Sequence, residues 1–351
     1  MDRLFQQALQ QAAALKNRPD SIPWNPDEPW TQPSYTWIDE HKQWEPAPSS
    51  NHGTQSASIS KIALYSWNID FMLPFPETRM NAALAHLRGL TRESLSTPDT
   101  AVVIHLQECT PSDLITISQT QWIRDSFSLT DIDPSNWASG LYGTTTLIDR
   151  RLSISSCFRV HFSQTRMERD ALFVDISLPS MPGPDTHRNK NKKFRLCTTH
   201  LESLAMDPPL RPAQMQLIAS HMHADGISGA VVMGDFNAIQ PFDLSLHVDN
   251  GLKDAYLELG GQEGSEEGYT WGQQALPVQR EQFGCSRMDK AFFCGVGLRL
   301  MEFERLGGGV VIPEEEGGQK ERILGLGFER AWVTDHLGVR VVFVVKDEGR
   351  L

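Results

Sequence analysis

The spacing of apolar and polar positions changes near Lys61. Over residues 1–20, Leu4, Ala8, Leu9, Ala12 and Leu15 recur at three- and four-residue intervals, which predicts a short amphipathic helix. From about residue 21 to 57 the chain is rich in Pro, Ser and Trp, with Trp24, Trp30, Trp37 and Trp44 spread along it. Proline breaks this stretch too often for regular structure. It reads as an extended arm whose tryptophans pack on the main domain, with a partner-binding tail as the alternative. After Lys61, short runs rich in β-branched residues predict strands over 61–67, 101–107, 142–148, 154–160, 171–178, 193–200, 229–235, 290–295 and 337–345. Residues 77–90 and 211–224 each carry one apolar stripe at helical spacing, with Pro212 in a tolerated first-turn position. Residues 181–193 and 312–322 read as polar loops. Many strands and few helices predict an α/β domain of two packed sheets with helices outside, spanning 58–351 behind an arm of 1–57.

Composition narrows the class. A chain of 351 residues can bury a large core, and 40% hydrophobic with 22% charged residues is ordinary for a soluble globular protein. No apolar run approaches the roughly 18 residues of a membrane span. The first residues lack the uninterrupted apolar stretch of a secretory signal. Five cysteines, Cys109, Cys157, Cys197, Cys285 and Cys294, show no paired spacing. Reduced thiols in a nuclear or cytoplasmic protein follow, without a disulfide framework, a zinc site or a membrane partner. The net charge of −12 opposes a protein that coats nucleic acid, because phosphate neutralisation dominates such binding. It leaves room for an enzyme that grips one end. The segment 188–195, with five basic residues in eight, reads as a solvated loop, a DNA contact or nuclear address being the alternative.

Several predicted strands end on polar groups that a core does not need. Asn68 and Asp70 close the first, Glu108 the second, and His200, Glu202 and Ser203 follow the sixth. The run VVMGDFN ends on Asp235 and Asn237, whose two-residue spacing puts both side chains on one face. Asp289 opens one apolar run, and Asp335 with His336 precedes the last. Six strand ends bearing carboxylate, amide or imidazole point to a site built on a rigid scaffold. His105, within a strand, reads as a packed residue.

The ordered set Trp67-Asn68, Gln107-Glu108, His200-Leu201, Gly234-Asp235-Phe236-Asn237, Asp289 and Asp335-His336 resembles the endonuclease/exonuclease/phosphatase superfamily from about residue 60 onward. The resemblance implies a four-layer αββα sandwich of two mostly antiparallel sheets flanked by helices, and a divalent-metal phosphodiesterase or phosphatase. The stretches THLES, GLKDAYLELG, YTWG and SRMDKAFF look most like the tyrosyl-DNA phosphodiesterase type 2 branch, with departures at Phe236, Gly272, Met288, Lys290, Thr334 and Leu337. On that likeness Glu108 and Asp335 hold Mg²⁺ (Mn²⁺ as substitute), with Asn68 completing or bonding that shell. Asp235 accepts a proton from the attacking water, and Asn237 holds that water. His336, oriented by Asp289, stabilises the phosphate. His200, Ser203, Trp271 and Arg169 bind the substrate, with Trp271 as a flat stacking wall and Arg169 as a phosphate contact. The implied substrate is a DNA 5′ end carrying tyrosine or peptide, in DNA repair. Another nuclease, or a phospholipid or inositol phosphodiesterase of the same superfamily, is the alternative.

Overall fold

The computed structural model describes residues 22–47, 59–178, 191–314 and 317–346. The expected N-terminal helix and most of the 181–193 loop lie outside the described residues. Fifteen strands are described: β1 (Pro29–Thr31), β2 (Tyr35–Ile38), β3 (Gln43–Pro46), β4 (Lys61–Asn68), β5 (Thr100–Cys109), β6 (Phe127–Leu129), β7 (Gly143–Asp149), β8 (Ser153–His161), β9 (Asp170–Leu178), β10 (Lys192–His200), β11 (Ile227–Asp235), β12 (Lys253–Asp254), β13 (Asp289–Cys294), β14 (Leu298–Leu306) and β15 (Gly338–Val345). One sheet runs β1-β8-β9-β10-β11-β13-β12, and the other runs β14-β15-β4-β5-β7-β6-β2-β3. Only β4–β5 and β10–β11 pair in parallel; the other pairings are antiparallel.

Period-two alternation explains how the layers stack. Along β4 and β5, Ile62, Leu64, Ala101 and Val103 face the second sheet and meet Leu172, Val174, Leu196 and Val231. Their neighbours Tyr65, Trp67, Val102, Ile104 and Leu106 face outward under α1 (Pro76–Ser96) and α2 (Pro111–Gln119). The outer face of the other sheet packs Phe158, Phe173 and Val232 against Met215, Ile218 and Met222 of α3 (Arg211–Met222). Strands covered on both faces read as continuous apolar runs, and each fully buried Leu, Ile or Phe contributes roughly 1.5–3 kcal/mol. The result is the expected four-layer sandwich.

Three segments depart most from expectation, beside short unpredicted elements such as β6 and β12. Residues 29–46 are not irregular: β1 extends one sheet, and β2 with β3 extends the other. Their prolines are tolerated because the strands are three or four residues long, with Pro29 opening β1 and Pro46 closing β3. The tryptophans anchor this segment: Trp24 stacks on His161 at 3.9 Å, and Trp44 Nε1 donates to Ser118 O. Gln32 is drawn inside, where it links Thr130 O and Asp131 to the buried Arg159. Second, β14 escaped prediction, because it is an edge strand with exposed Arg299, Glu302 and Glu304 between few buried positions. Third, the polar stretch 312–322 is not all loop, since a helix occupies Gln319–Gly325 around the buried Ile323.

Candidate active site

Strand register assembles the site at one end of the two sheets. His200 at the end of β10 pairs with Asp235 at the end of β11, and Asp235 pairs across β13 with Asp289. In the facing sheet Asn68 pairs with Gln107, one residue before Glu108. The β5–β7 register slips between Leu106 and Cys109, and Glu108 takes φ +56°. Such a bulge re-aims a side chain, here turning Glu108 out of the layer that Leu106 packs into. Asp70 and Asn237 also sit at positive φ, +56° and +47°. Three polar site residues in this sparsely populated region fit the concentration of backbone strain at functional sites. Gly234 is required for a different reason: a Cβ there would lie 1.8 Å from Thr199 O.

The two sheet ends are joined by a direct bond. Asn68 Nδ2 donates to Asp235 Oδ2 at 3.0 Å, and Asn237 N donates to Asp235 Oδ1 at 2.8 Å. Both carboxylate oxygens of Asp235 are therefore held. His200 Nε2 lies 3.4 Å from Asp235 Oδ2 and 3.7 Å from Glu108 Oε1, so one ring nitrogen faces both carboxylates. Arg169 donates to the other nitrogen, Nδ1, at 2.6 Å. That bond puts the His200 proton on Nε2, which has no other partner among the described residues. Burial, then the charges of Arg169 and His336, hold the ring well below its ordinary pKa, so His200 is a neutral donor.

His336 is the opposite case. Burial disfavours its charge, but Asp289, Asp235 and Asp335 together outweigh that and raise its pKa well above the usual value. Asp289 Oδ2 holds His336 Nδ1 at 2.9 Å, leaving Nε2 aimed at Asp235 Oδ2, 3.6 Å away. Burial pushes Asp289 itself up to about 6, with His336 opposing.

A second group of carboxylates faces this pair. Burial raises Asp70 to about 8, with Asp335 and Glu108 adding repulsion and Arg79 opposing. Burial likewise raises Glu108. Each has one oxygen fixed by a donor: Met72 N on Asp70, Phe71 N on Glu108, and Trp271 Nε1 on Asp335 Oδ2 at 2.7 Å. The remaining oxygens are hard donors crowded by mutual repulsion, which is a fit for Mg²⁺ or Mn²⁺. Asp235, Asp289 and His336 also bring ligand atoms within 4.8 Å of one another. There, however, the carboxylate and imidazole already bond to each other and the ring is cationic, so the Glu108 group is the better cation site. The buried Arg79 sets its geometry by donating to the carbonyls of Ile69, Asp70, Leu73, Pro74 and Val333.

Asn68, Glu108, His200, Asp235, Asn237, Asp289, Asp335 and His336 are thus brought together, with Ser203 and Arg169 beside them. Three expectations change in detail. Arg169 is not an open phosphate contact, because its guanidinium is committed to His200 and to Ser203 Oγ at 2.9 Å and lies over the Tyr142 ring. Trp271 is only 9% exposed and packs with Ala275 and Met288, so its clearest task is to hold Asp335. The Asn237 amide is partly used, donating to Leu201 O. Asp70 joins the site as well, and its spacing two residues from Asn68 is the sequence signal for it. Glu202, one of the polar groups after the sixth predicted strand, ties Thr165 and Arg166 N to the Ser203 loop, whereas Arg79 carries no sequence signal. His105 is the packed residue expected, bonded to Thr146 and held at about 3 by burial.

This end of the sandwich opens into a cleft of about 1060 Å³. Phe71 and Tyr142 stack at 4.3 Å on one wall. Met72, Leu204, Ile239, Leu244 and Phe283 line it as exposed apolar side chains.

A two-sheet α/β sandwich with acid, amide and imidazole tips gathered at one end defines a phosphoester-hydrolase scaffold. The chain belongs to the endonuclease/exonuclease/phosphatase family, whose model matches residues 65–336. Among solved structures, it is similar to truncated Caenorhabditis elegans TDP2 at 20% identity and TM-score 0.57, covering 81% of this chain and 98% of that one. D. rerio TDP2 complexed with single strand DNA product matches at 17% identity and TM-score 0.55, covering 81% and 99%. The human Nocturnin catalytic domain with bound sulfate anion matches at 15% and 0.52, covering 82% and 95%. No curated protein sequence matches the chain.

Proposed function

We propose that this protein is a divalent-metal phosphodiesterase that hydrolyses 5′-phosphotyrosyl bonds at DNA ends, a DNA-repair activity. The observation that carries the reading is Asp235, held by Asn68 from the opposite sheet and by the Asn237 backbone, with Glu108 beyond the same imidazole. Glu108 and Asp335, with Asp70, would hold the cation. When bound, a divalent ion neutralises phosphoryl charge and stabilises the leaving oxygen. Asp235 accepts the proton of a water lined up with the phosphorus, its orientation fixed by two hydrogen bonds. The His336 imidazolium and the neutral His200 Nε2–H donate to phosphoryl oxygens as charge grows, both pre-oriented by Asp289 and Arg169.

A phenol leaving group suits this site. Its pKa is about 10, against roughly 15.7 for bulk water, so it departs with little protonation. The cleft's Tyr142 and Tyr269 hydroxyls are spent on the carbonyls of Met167 and Gly264, and burial pushes Tyr142 up to about 12. Neither is placed to protonate an alkoxide. Apolar walls give flat and aliphatic surface for unstacked bases or the tyrosine ring. The same exposed apolar rim favours a second reading, an amphiphilic phosphodiester such as a phospholipid. The test is Mg²⁺-dependent release of tyrosine from a 5′-phosphotyrosyl oligonucleotide, run beside abasic DNA and a sphingomyelin dispersion. Hydrolysis of either of the latter without the first would replace the tyrosyl reading.

A further inference from the structure

The cleft is acidic and apolar, yet its proposed substrate is a polyanion, so its cations can be taken one at a time. Three basic side chains line it among the described residues: Arg166, Arg169 and Arg287. Arg169 is buried and spent on His200 and Ser203. Arg287 is buried between Asp254 and Glu263, which neutralise it. His336 is held by Asp289. Arg166 differs, because it is exposed and, among the described residues, its guanidinium donates only to the thioether of Met206, at 3.6 Å. The backbone under it is fixed. Glu202 accepts from Arg166 N and from Thr165 Oγ1, and Thr165 Oγ1 in turn accepts from the amides of Met167 and Arg169. Buried Glu202 therefore clamps the 165–169 turn beside the loop carrying Ser203 and Leu204, and Arg166 stands at the rim with an uncommitted planar fork.

We propose that Arg166 is a specificity-determining residue that binds one phosphate neighbouring the scissile one, so that the cleft reads a nucleic-acid end through two phosphates and apolar contact rather than a charged tract. This deepens the phosphodiesterase reading and rests on it only in taking the cleft to receive a nucleic-acid end. The number of usable cations fixes a salt law. Binding of a single strand loses affinity with a log–log slope of about −0.7 per phosphate contact. The Arg166 contact therefore adds about a threefold weakening, beyond that of the scissile phosphate, when KCl rises from about 50 to about 200 mM. A tract of six contacts would lose several hundredfold over the same range.

The experiment measures binding, which separates it from turnover. Full-length protein in Mg²⁺ is titrated against a fluorescent 5′-phosphorylated decathymidylate and, in competition, against thymidine 5′-monophosphate. The expected result is a decamer slope about 0.7 steeper than that of the mononucleotide. Arg166→Ala should weaken the decamer about tenfold and flatten its slope, while the mononucleotide is unmoved and Arg166→Lys keeps most of the slope. A wild-type slope difference several times larger, equal losses on both ligands, no loss on either, or no decamer binding would each overturn the proposal. Binding with this pattern but no hydrolysis of the tyrosyl substrate would instead defeat the catalytic reading and leave the two-phosphate grip standing.

Discussion

Replacing Arg169 with methionine should slow the enzyme through His200 and not through the phosphate. The guanidinium sits 2.6 Å from His200 Nδ1, and that bond selects the tautomer whose Nε2–H faces Asp235 and Glu108. Arg169→Met keeps the aliphatic length and removes the donor, so Nδ1 is left to take the proton and the ring to turn. A hydrogen bond from a charged donor is worth about 1.5–3 kcal/mol. At about 1.4 kcal/mol per tenfold, that predicts a fall of roughly 10- to 150-fold in kcat/KM. A double-mutant cycle isolates the route: if Arg169 works by orienting His200, adding Arg169→Met to His200→Ala changes little, and the coupling energy equals the single loss. Ser203→Ala serves as the control for the guanidinium's other partner. The assay is single-turnover hydrolysis of a 5′-phosphotyrosyl oligonucleotide, with thermal melting to show that each variant folds. Additive losses would refute the reasoning and return Arg169 to direct contact with the phosphate.

Further consequences follow from the same geometry. Trp271→Phe keeps the ring but removes the donor to Asp335 Oδ2, so the Mg²⁺ concentration for half-maximal activity should rise about 10- to 100-fold; an unchanged Mg²⁺ titration would contradict it. Arg79→Met leaves five carbonyls of the loops after β4 and before β15 without their donor, so urea unfolding should show a loss of about 3–5 kcal/mol. His105 is held at about 3 when folded, below its unfolded value of about 6.5. The unfolded state therefore binds the extra proton, and stability is full above pH about 6.5 and falls toward the folded value, by about 1.4 kcal/mol per pH unit. His105→Gln should flatten the slope of unfolding free energy between about pH 6 and 4 by one proton, and an unaltered slope would sink that assignment.

What could be read from the sequence follows from burial. Most of the nine predicted strands are buried along nearly their whole length, so each keeps a run rich in apolar and β-branched residues, as in KIALYSWN of β4. β14 presents one face to solvent at a sheet edge, and its charges hid it. β1 to β3 are three or four residues long, with prolines at the ends of β1 and β3, which a local reading takes for irregular chain. The site residues were legible because strand ends in register share one end of a sandwich. Their orientations were not. Glu108 turns on a bulge, and bulges depend on the partner strand. Arg169 is drawn from the phosphate by His200, which comes from the adjacent strand β10, and Arg79 acts from a helix whose sequence shows only an ordinary exposed-looking arginine. Partners distant in sequence carry no local pattern.

In the proposed mechanism Asp235, gripped from both sheets, activates water for an in-line attack on a phosphodiester beside a cation held by Glu108. The most direct test of this mechanism is tyrosine release from a 5′-phosphotyrosyl oligonucleotide by the wild type, Glu108→Gln and Asp235→Asn, each with and without Mg²⁺. Mg²⁺-dependent release by the wild type is expected, with a loss of about a thousandfold or more in both variants and melting temperatures that show intact folds. Undiminished release by a folded Asp235→Asn, or by the wild type with all divalent ions chelated, would contradict it.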